Sequence, residues 1–248
     1  MNSIDWLPVG ILFFSAILGG LIRRLSGFGG ALIMSPLLMW VFAVPFFIPI
    51  VMSTELLGGV WLSRQWKVSV QDKPRIYRMW LIAALALPLG IFLSQFVTIS
   101  ILKVISSTII ILFSVYLLAR PHFTFELSKT GDITASSLAG FLLGSCGIGG
   151  PPVALYFNSS SMQFERARGL LSQFVSGICF FAIITASMMG GGLGWIQWLL
   201  LAIPAYFLGM YLATRLLRWH DLSARAIKTI CLYILIVNAL FNLFIMAI

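Results

Sequence analysis

The chain has 248 residues, 60% of them hydrophobic and 9% charged, with a formal net charge of +9 and a mean hydropathy of +1.03. A soluble domain carries about 25% charged residues, so the composition excludes a water-soluble fold and makes the bilayer the expected solvent. The positive charge does not point to nucleic acid. The bases sit at the ends of apolar segments, as in "SRQWKVSVQDKPRIYR" and "RLLRWHDLSARAIK", where they mark cytoplasmic loops, and no soluble basic domain is present to bind a nucleic acid.

In chain order, apolar segments run over 7–22, 29–42, 45–63, 79–97, 100–119, 132–145, 149–158, 169–189, 194–215 and 226–247. The opening "MNSIDWLPVG" lacks the basic flank of a signal peptide, so the first segment is expected to be retained. A helix that crosses about 30 Å of hydrocarbon needs about 20 residues. Segments 29–42, 132–145 and 149–158 fall short of that, and 7–22 is borderline. The short segments come in pairs, and each pair is joined at a glycine cluster, "LSGFGG" or "SCGIGG".

The pairs belong to an internal repeat. Gly20, Gly27, Gly29 and Gly30 match Gly140, Gly147, Gly149 and Gly150 at an offset of 120, and Gly90 matches Gly209 at 119. Arg64, Lys67, Lys73, Arg75 and Arg78 place the 64–78 loop in the cytoplasm, whereas its counterpart "MGGGLGW" is uncharged. Conversely "SQFVTIS" is uncharged, and its counterpart carries Arg215, Arg218, Arg225 and Lys228. Arg120, Lys129, Arg166 and Arg168 agree with a cytoplasmic side. The bias alternates in opposite sense in the two halves. The expected fold is an all-α integral membrane protein of two inverted-topology repeats, with both termini outside. Each repeat is a broken, re-entrant hairpin followed by three transmembrane helices. The first repeat covers 1–119 (hairpin 7–42, helices 45–63, 79–97 and 100–119), a cytoplasmic linker covers 120–131, and the second repeat covers 132–248 (hairpin 132–158, helices 169–189, 194–215 and 226–247).

Non-helical backbone inside a membrane is tolerated only where protein buries it or it lines a wet cavity. Glycine permits the positive φ and close approach that such a break needs. A helix that restarts at about Gly29 or Gly149 turns free N–H groups and its positive dipole end into the interior, which is a ready anion site. Pro151 suits the first turn of the second restart. Two hairpins entering from opposite faces would bring two such ends together near the midplane. The competing reading is that these glycines only let helices pack closely.

The stretches "LIRRLSGFGGALIMSPLL" and "FLLGSCGIGGPPVALYF" resemble the paired signature of the TauE/SafE sulfite-exporter family, also called TSUP, and the similarity extends over nearly the whole chain. The resemblance implies a secondary transporter that exports small sulfur-containing anions, such as sulfite, sulfoacetate or related sulfonates, across a bacterial inner membrane. Nothing in the composition or spacing points to sulfur. A passive anion channel with the same midplane site is the alternative. An enzyme is not expected, because there is no HExxH, no metal-spaced His/Asp cluster and no nucleophile elbow. Cys146, Cys179 and Cys231 lack CxxC spacing, and His122 and His220 lack ligand spacing, so no disulfide framework, metal or cofactor is expected. The partners expected are the anion and the lipid bilayer, and a homodimer is compatible with the sequence.

The candidate substrate-binding residues are Arg23, Arg24, Ser26, Gly27, Phe28, Gly29, Gly30, Ser145, Cys146, Gly147, Gly149, Gly150, Asn158 and Gln173. An arginine deep in lipid costs about 2.5–3.5 kcal/mol and usually faces a polar cavity. Arg23 and Arg24, which have no charged counterpart in the second half, either line the site, Arg24 being nearer the glycine break, or anchor segment 7–22 at the cytoplasmic surface. Ser26 and Ser145 are expected to donate to the anion, and Cys146 either joins them or simply packs. Gln173 matches Ser53, and Asn158 either lines the route or caps its helix. Glu55, the one acidic residue in the middle of an apolar helix, is a candidate for coupling together with Ser53 and Thr54. It either takes a proton, as burial favours, or pairs with an arginine. The tryptophans near segment ends read as an interfacial belt.

Overall fold

A chain with no water to hydrogen-bond its backbone must satisfy that backbone internally, and helices do so within one segment. The computed structural model describes residues 6–63, 69–119, 126–160, 162–219 and 224–247. These contain ten α-helices and no extended strand. They are α1 (Trp6–Ser26), α2 (Gly30–Leu38), α3 (Val44–Ser63), α4 (Lys73–Ser94), α5 (Ile99–Ala119), α6 (Lys129–Cys146), α7 (Gly150–Asn158), α8 (Phe164–Ala186), α9 (Ile196–Trp219) and α10 (Ala224–Ala247). Six of them, α1, α3, α4, α5, α8 and α9, are long and apolar enough to cross a membrane. Their outward faces carry exposed apolar side chains, such as Leu81, Leu85 and Leu89 on α4 and Leu200, Leu208 and Leu212 on α9. Water would disfavour such a surface, whereas lipid accepts it. Arg64, Lys67, Arg120, His122 and His220, and the side chains of Arg225 and Lys228, lie outside the described residues.

The helices differ from the apolar segments at their ends. The segment 7–22 stops at the Arg23–Arg24 pair, but α1 continues to Ser26. Both arginines find partners inside the protein, so their charge does not end the helix. With 21 residues α1 is about 30 Å long at 1.5 Å per residue and is not borderline. Similarly α6 begins at Lys129, where the hydroxyl of Ser128 accepts from the Gly131 amide at 3.0 Å and caps the helix. The half-helices α2 and α7 have nine residues each, too few to cross.

The bundle is assembled from close helix pairs: α1 on α9, α4 on α6, α3 on α8 and α5 on α10. Exchanging α1–α5 with α6–α10 returns the same set of pairs. The repeated glycines explain two of them. A Cβ on Gly20 would overlap the Tyr206 carbonyl oxygen, and one on Gly209 would overlap that of Ile17. At the matching α4–α6 crossing, Cβ atoms on Gly140 and Gly90 would overlap the carbonyl oxygens of Ala83 and Phe141. The two backbones touch at each crossing, which is the small-residue packing of membrane helices.

At one end of the bundle α1, α3, α5 and α9 finish while α4, α6, α8 and α10 begin. Polar contacts join these termini. Arg24 Nε donates to Thr214 Oγ1 of α9 at 3.1 Å, and Arg168 of α8 donates to the Arg24 carbonyl at the end of α1 at 3.1 Å. Arg166 grips Asp72 through two hydrogen bonds of 2.9 and 2.7 Å. Arg75 donates to the buried carboxylate of Asp132 at 3.1 Å, and Arg78 donates to the same oxygen. Tyr156 donates to the other Asp132 oxygen at 2.8 Å and accepts from the Ser128 amide at 3.0 Å. At the opposite end a lysine, Lys103, lies 3.6 Å from the ring centre of Trp40, whose indole N–H donates to Asn242 Oδ1 at 2.7 Å.

Candidate functional site

Each hairpin turns on glycine. Gly27 (φ 83°), Gly29 (φ 98°) and Gly147 (φ 71°) hold left-handed backbone, where a Cβ would collide with the carbonyl. The turn lets α1 end with the Gly27 amide on the Arg23 carbonyl (2.9 Å) and lets α2 restart at Gly30. The second loop repeats this, with the Gly147 amide on the Leu143 carbonyl (2.9 Å) and α7 starting at Gly150. The loops also bridge the halves: Ser35 of α2 donates to the Gly147 carbonyl at 2.8 Å.

The two restarts share one cavity. Gly29, Ala31 and Leu32 line it from the first hairpin, Gly149 and Gly150 from the second, and Met52, Glu55, Leu143, Val175 and Ile178 complete the wall. The first amides of a helix have no acceptor within it, and the positive ends of both half-helices lie here. The volume is about 20 Å³, which holds about one water.

A polar cluster stands at the wall. Glu55 of α3 and Arg23 of α1 are both fully buried, with Arg23 Nη1 3.1 Å from Glu55 Oε2. That is an ion-pair distance without hydrogen-bond alignment, so Arg23 Nε, Arg23 Nη1 and Glu55 Oε2 have no aligned hydrogen-bond partner. Tyr206 of α9 donates to Glu55 Oε1 at 2.8 Å, and Arg23 Nη2 reaches Ser176 Oγ of α8 at 3.4 Å. Two glycines one turn after Glu55 make the room. A Cβ on Gly58 would stand 2.9 Å from the Tyr206 ring, and one on Gly59 would overlap Ser176 Oγ and stand 2.8 Å from Arg23 Nη2. A Cβ on Gly30 would overlap Glu55 Oε1, so the carboxylate sits against the start of α2, where its charge is favoured. It lines the cavity, and Arg23 lies behind it.

The family model for the sulfite exporter TauE/SafE matches residues 12–241. The chain belongs to this family. No curated protein and no solved structure matches it. As a TauE/SafE member it is a multi-pass membrane transporter rather than an enzyme, and the family implies an anion as substrate.

Of the residues singled out in this TauE/SafE sequence, Glu55, Gly29, Gly149 and Gly150 line the central cavity; Gly30 begins α2 against Glu55, and Gly27 and Gly147 form the turns. Arg23 is at the centre, while Arg24 is half-buried near the end of α1, 5.6 Å from the Trp61 ring centre. Ser26, Phe28 and Asn158 line a different cavity of about 30 Å³ with Arg168, Cys231 and Leu117. The hydroxyl of Ser26 is held by its own helix at the Ile22 carbonyl (2.8 Å), as Ser145 is at Phe141 (3.0 Å) and Thr54 at Val51 (2.8 Å). Asn158 donates to Ala154 at 2.8 Å. Cys146 is buried with its sulfur 3.9 Å from the Leu102 carbonyl; Ser53 is buried and Gln173 half-buried. Tyr206 and Ser176 were not legible as site residues. The one signal for Tyr206 was its place three residues before the repeated Gly209, on the face that must meet α1.

Proposed function

We propose that this protein is a secondary transporter exporting small sulfur-containing anions, such as sulfite or sulfonates, across a bacterial inner membrane, with the paired half-helix starts as its binding site. One observation carries the reading: α2 and α7, contributed by different halves, begin at the same small cavity. An anion there meets unsatisfied amides from both. The cavity is small, with Glu55, Leu143 and Ile178 in its wall, which favours a carrier over an open pore.

Alternating access follows if the halves are inverted repeats. In support, α1 and α3 finish at the end of the bundle where their counterparts α6 and α8 begin. Lys73, Arg75, Arg78, Lys129, Arg166, Arg168, Arg215 and Arg218 gather at that end, which makes it the cytoplasmic one by the positive-inside rule. An inside-negative potential then drives an anion outward by about 2.3 kcal/mol per charge per 100 mV. In proteoliposomes, sulfite and sulfoacetate are expected to show saturable efflux and counterflow. Single-channel currents without counterflow, or no movement of any sulfur oxyanion, would overturn the reading.

A further inference from the structure

The halves repeat the scaffold but not the charge. At offset 120 Arg23, Glu55 and Ser176 correspond to Leu143, Val175 and Leu56, and at 119 Tyr206 corresponds to Leu87. The same helix crossings, built in the second half, enclose leucine and valine where the first half encloses an ion pair. The fold therefore does not require the pair. Burying two charges is costly, and well-packed hydrophobic residues in their place are often neutral or stabilising; the second half contains that replacement.

What remains is the chemistry of the site. A cavity of about 20 Å³ has no room for a sulfur oxyanion beside the Glu55 carboxylate. That carboxylate already occupies the position an anion would seek, against the start of α2 and in front of Arg23, whose Nε and Nη1 lack aligned hydrogen-bond partners. We infer that Glu55 is a tethered stand-in for the transported anion: it neutralises Arg23 when the site is empty and yields Arg23 to the substrate when the site is loaded. This rests on the transport reading above. A carrier must return unloaded to complete net transport, and an arginine left uncompensated in the membrane interior opposes that return. With Glu55 on Arg23 the empty carrier has no net charge at its centre. Exchange of one anion for another does not require the empty carrier to reorient across the membrane and so does not need Glu55 for that step.

The test compares net efflux with exchange of isethionate, whose sulfonate keeps a fixed charge near neutral pH, in proteoliposomes of the full chain. Wild type is expected to do both. Glu55→Gln, which keeps an acceptor for Tyr206, is expected to lose net efflux at least tenfold, to retain exchange within about threefold and to bind isethionate more tightly because its internal competitor is gone. Net efflux at the wild-type rate in Glu55→Gln, or equal loss of exchange and efflux in Glu55→Gln reconstituted as folded, monodisperse protein, overturns the role of Glu55 and leaves the transport reading standing. The double variant Arg23→Leu/Glu55→Val copies the second half and guards against misfolding of the single one. It should lose both fluxes, and wild-type flux in it overturns the inference. A wild type that moves no isethionate and no sulfite in either assay overturns the transport reading and this inference with it.

Discussion

Arg23 and Glu55 offer a stability measurement that separates a structural ion pair from one kept for function. Both side chains are fully buried and stand 3.1 Å apart. Removing one partner leaves the other charged and uncompensated, which costs about 3–5 kcal/mol. Arg23→Leu and Glu55→Val are therefore each expected to destabilise by about that amount. At roughly 2–4 °C per kcal/mol for a chain of this size, melting falls by about 6–20 °C. The double variant removes both charges and restores the residues present at Leu143 and Val175; it is expected to be as stable as wild type or up to about 4 kcal/mol more stable. The hydroxyl of Tyr206, 2.8 Å from Glu55 Oε1, then loses its acceptor at a cost of about 1–3 kcal/mol, and Tyr206→Phe in the same background should recover it. The assay is unfolding in mixed micelles by denaturing detergent, analysed as a double-mutant cycle. The reasoning fails if either single variant lies within about 1 kcal/mol of wild type, or if the double variant is no more stable than the singles.

The backbone contact at the α1–α9 crossing makes Gly20→Leu incompatible with the fold, because a side chain there meets the Tyr206 carbonyl; size-exclusion chromatography should show no monodisperse protein. Gly10→Ala, with nothing within 4 Å of the new Cβ, should behave as wild type. Asp132→Ala strips a fully buried carboxylate from Arg75, Arg78 and Tyr156 and is expected to cost about 1–3 kcal/mol in the same unfolding assay. Asp72→Ala should cost at most about 1 kcal/mol, since Arg166 is half exposed and water replaces its partner. In a background lacking the native cysteines, Lys73→Cys should resist a membrane-impermeant thiol reagent added outside the cell while Gln95→Cys reacts. The reverse pattern would overturn the orientation.

Much of the fold could be read along the chain, because in lipid the backbone has few choices. Apolar length marked where helices run, and the glycine clusters marked where they break, since Gly27, Gly29 and Gly147 hold backbone that other residues resist. The matched Gly20/Gly140 and Gly90/Gly209 are crossing points; a glycine spacing alone does not distinguish a turn from a close approach. Helix ends were less legible. An arginine pair looks like a terminus until its partners are known, and those of Arg23 and Arg24 lie on α3, α8 and α9.

Local chemistry thus determined the solvent, the helical class, the two broken segments and the candidate charged residues, for each depends on a residue's own preference or that of near neighbours. Only the tertiary structure decided which charges meet. It selected Arg23 rather than Arg24 for Glu55, brought Tyr206 from 151 residues away to the same carboxylate, and spent the hydroxyls of Ser26 and Ser145 on their own helices. The reason is geometric: neighbours on one helix point to different faces, and which face is enclosed depends on the crossing of helices far apart in the chain.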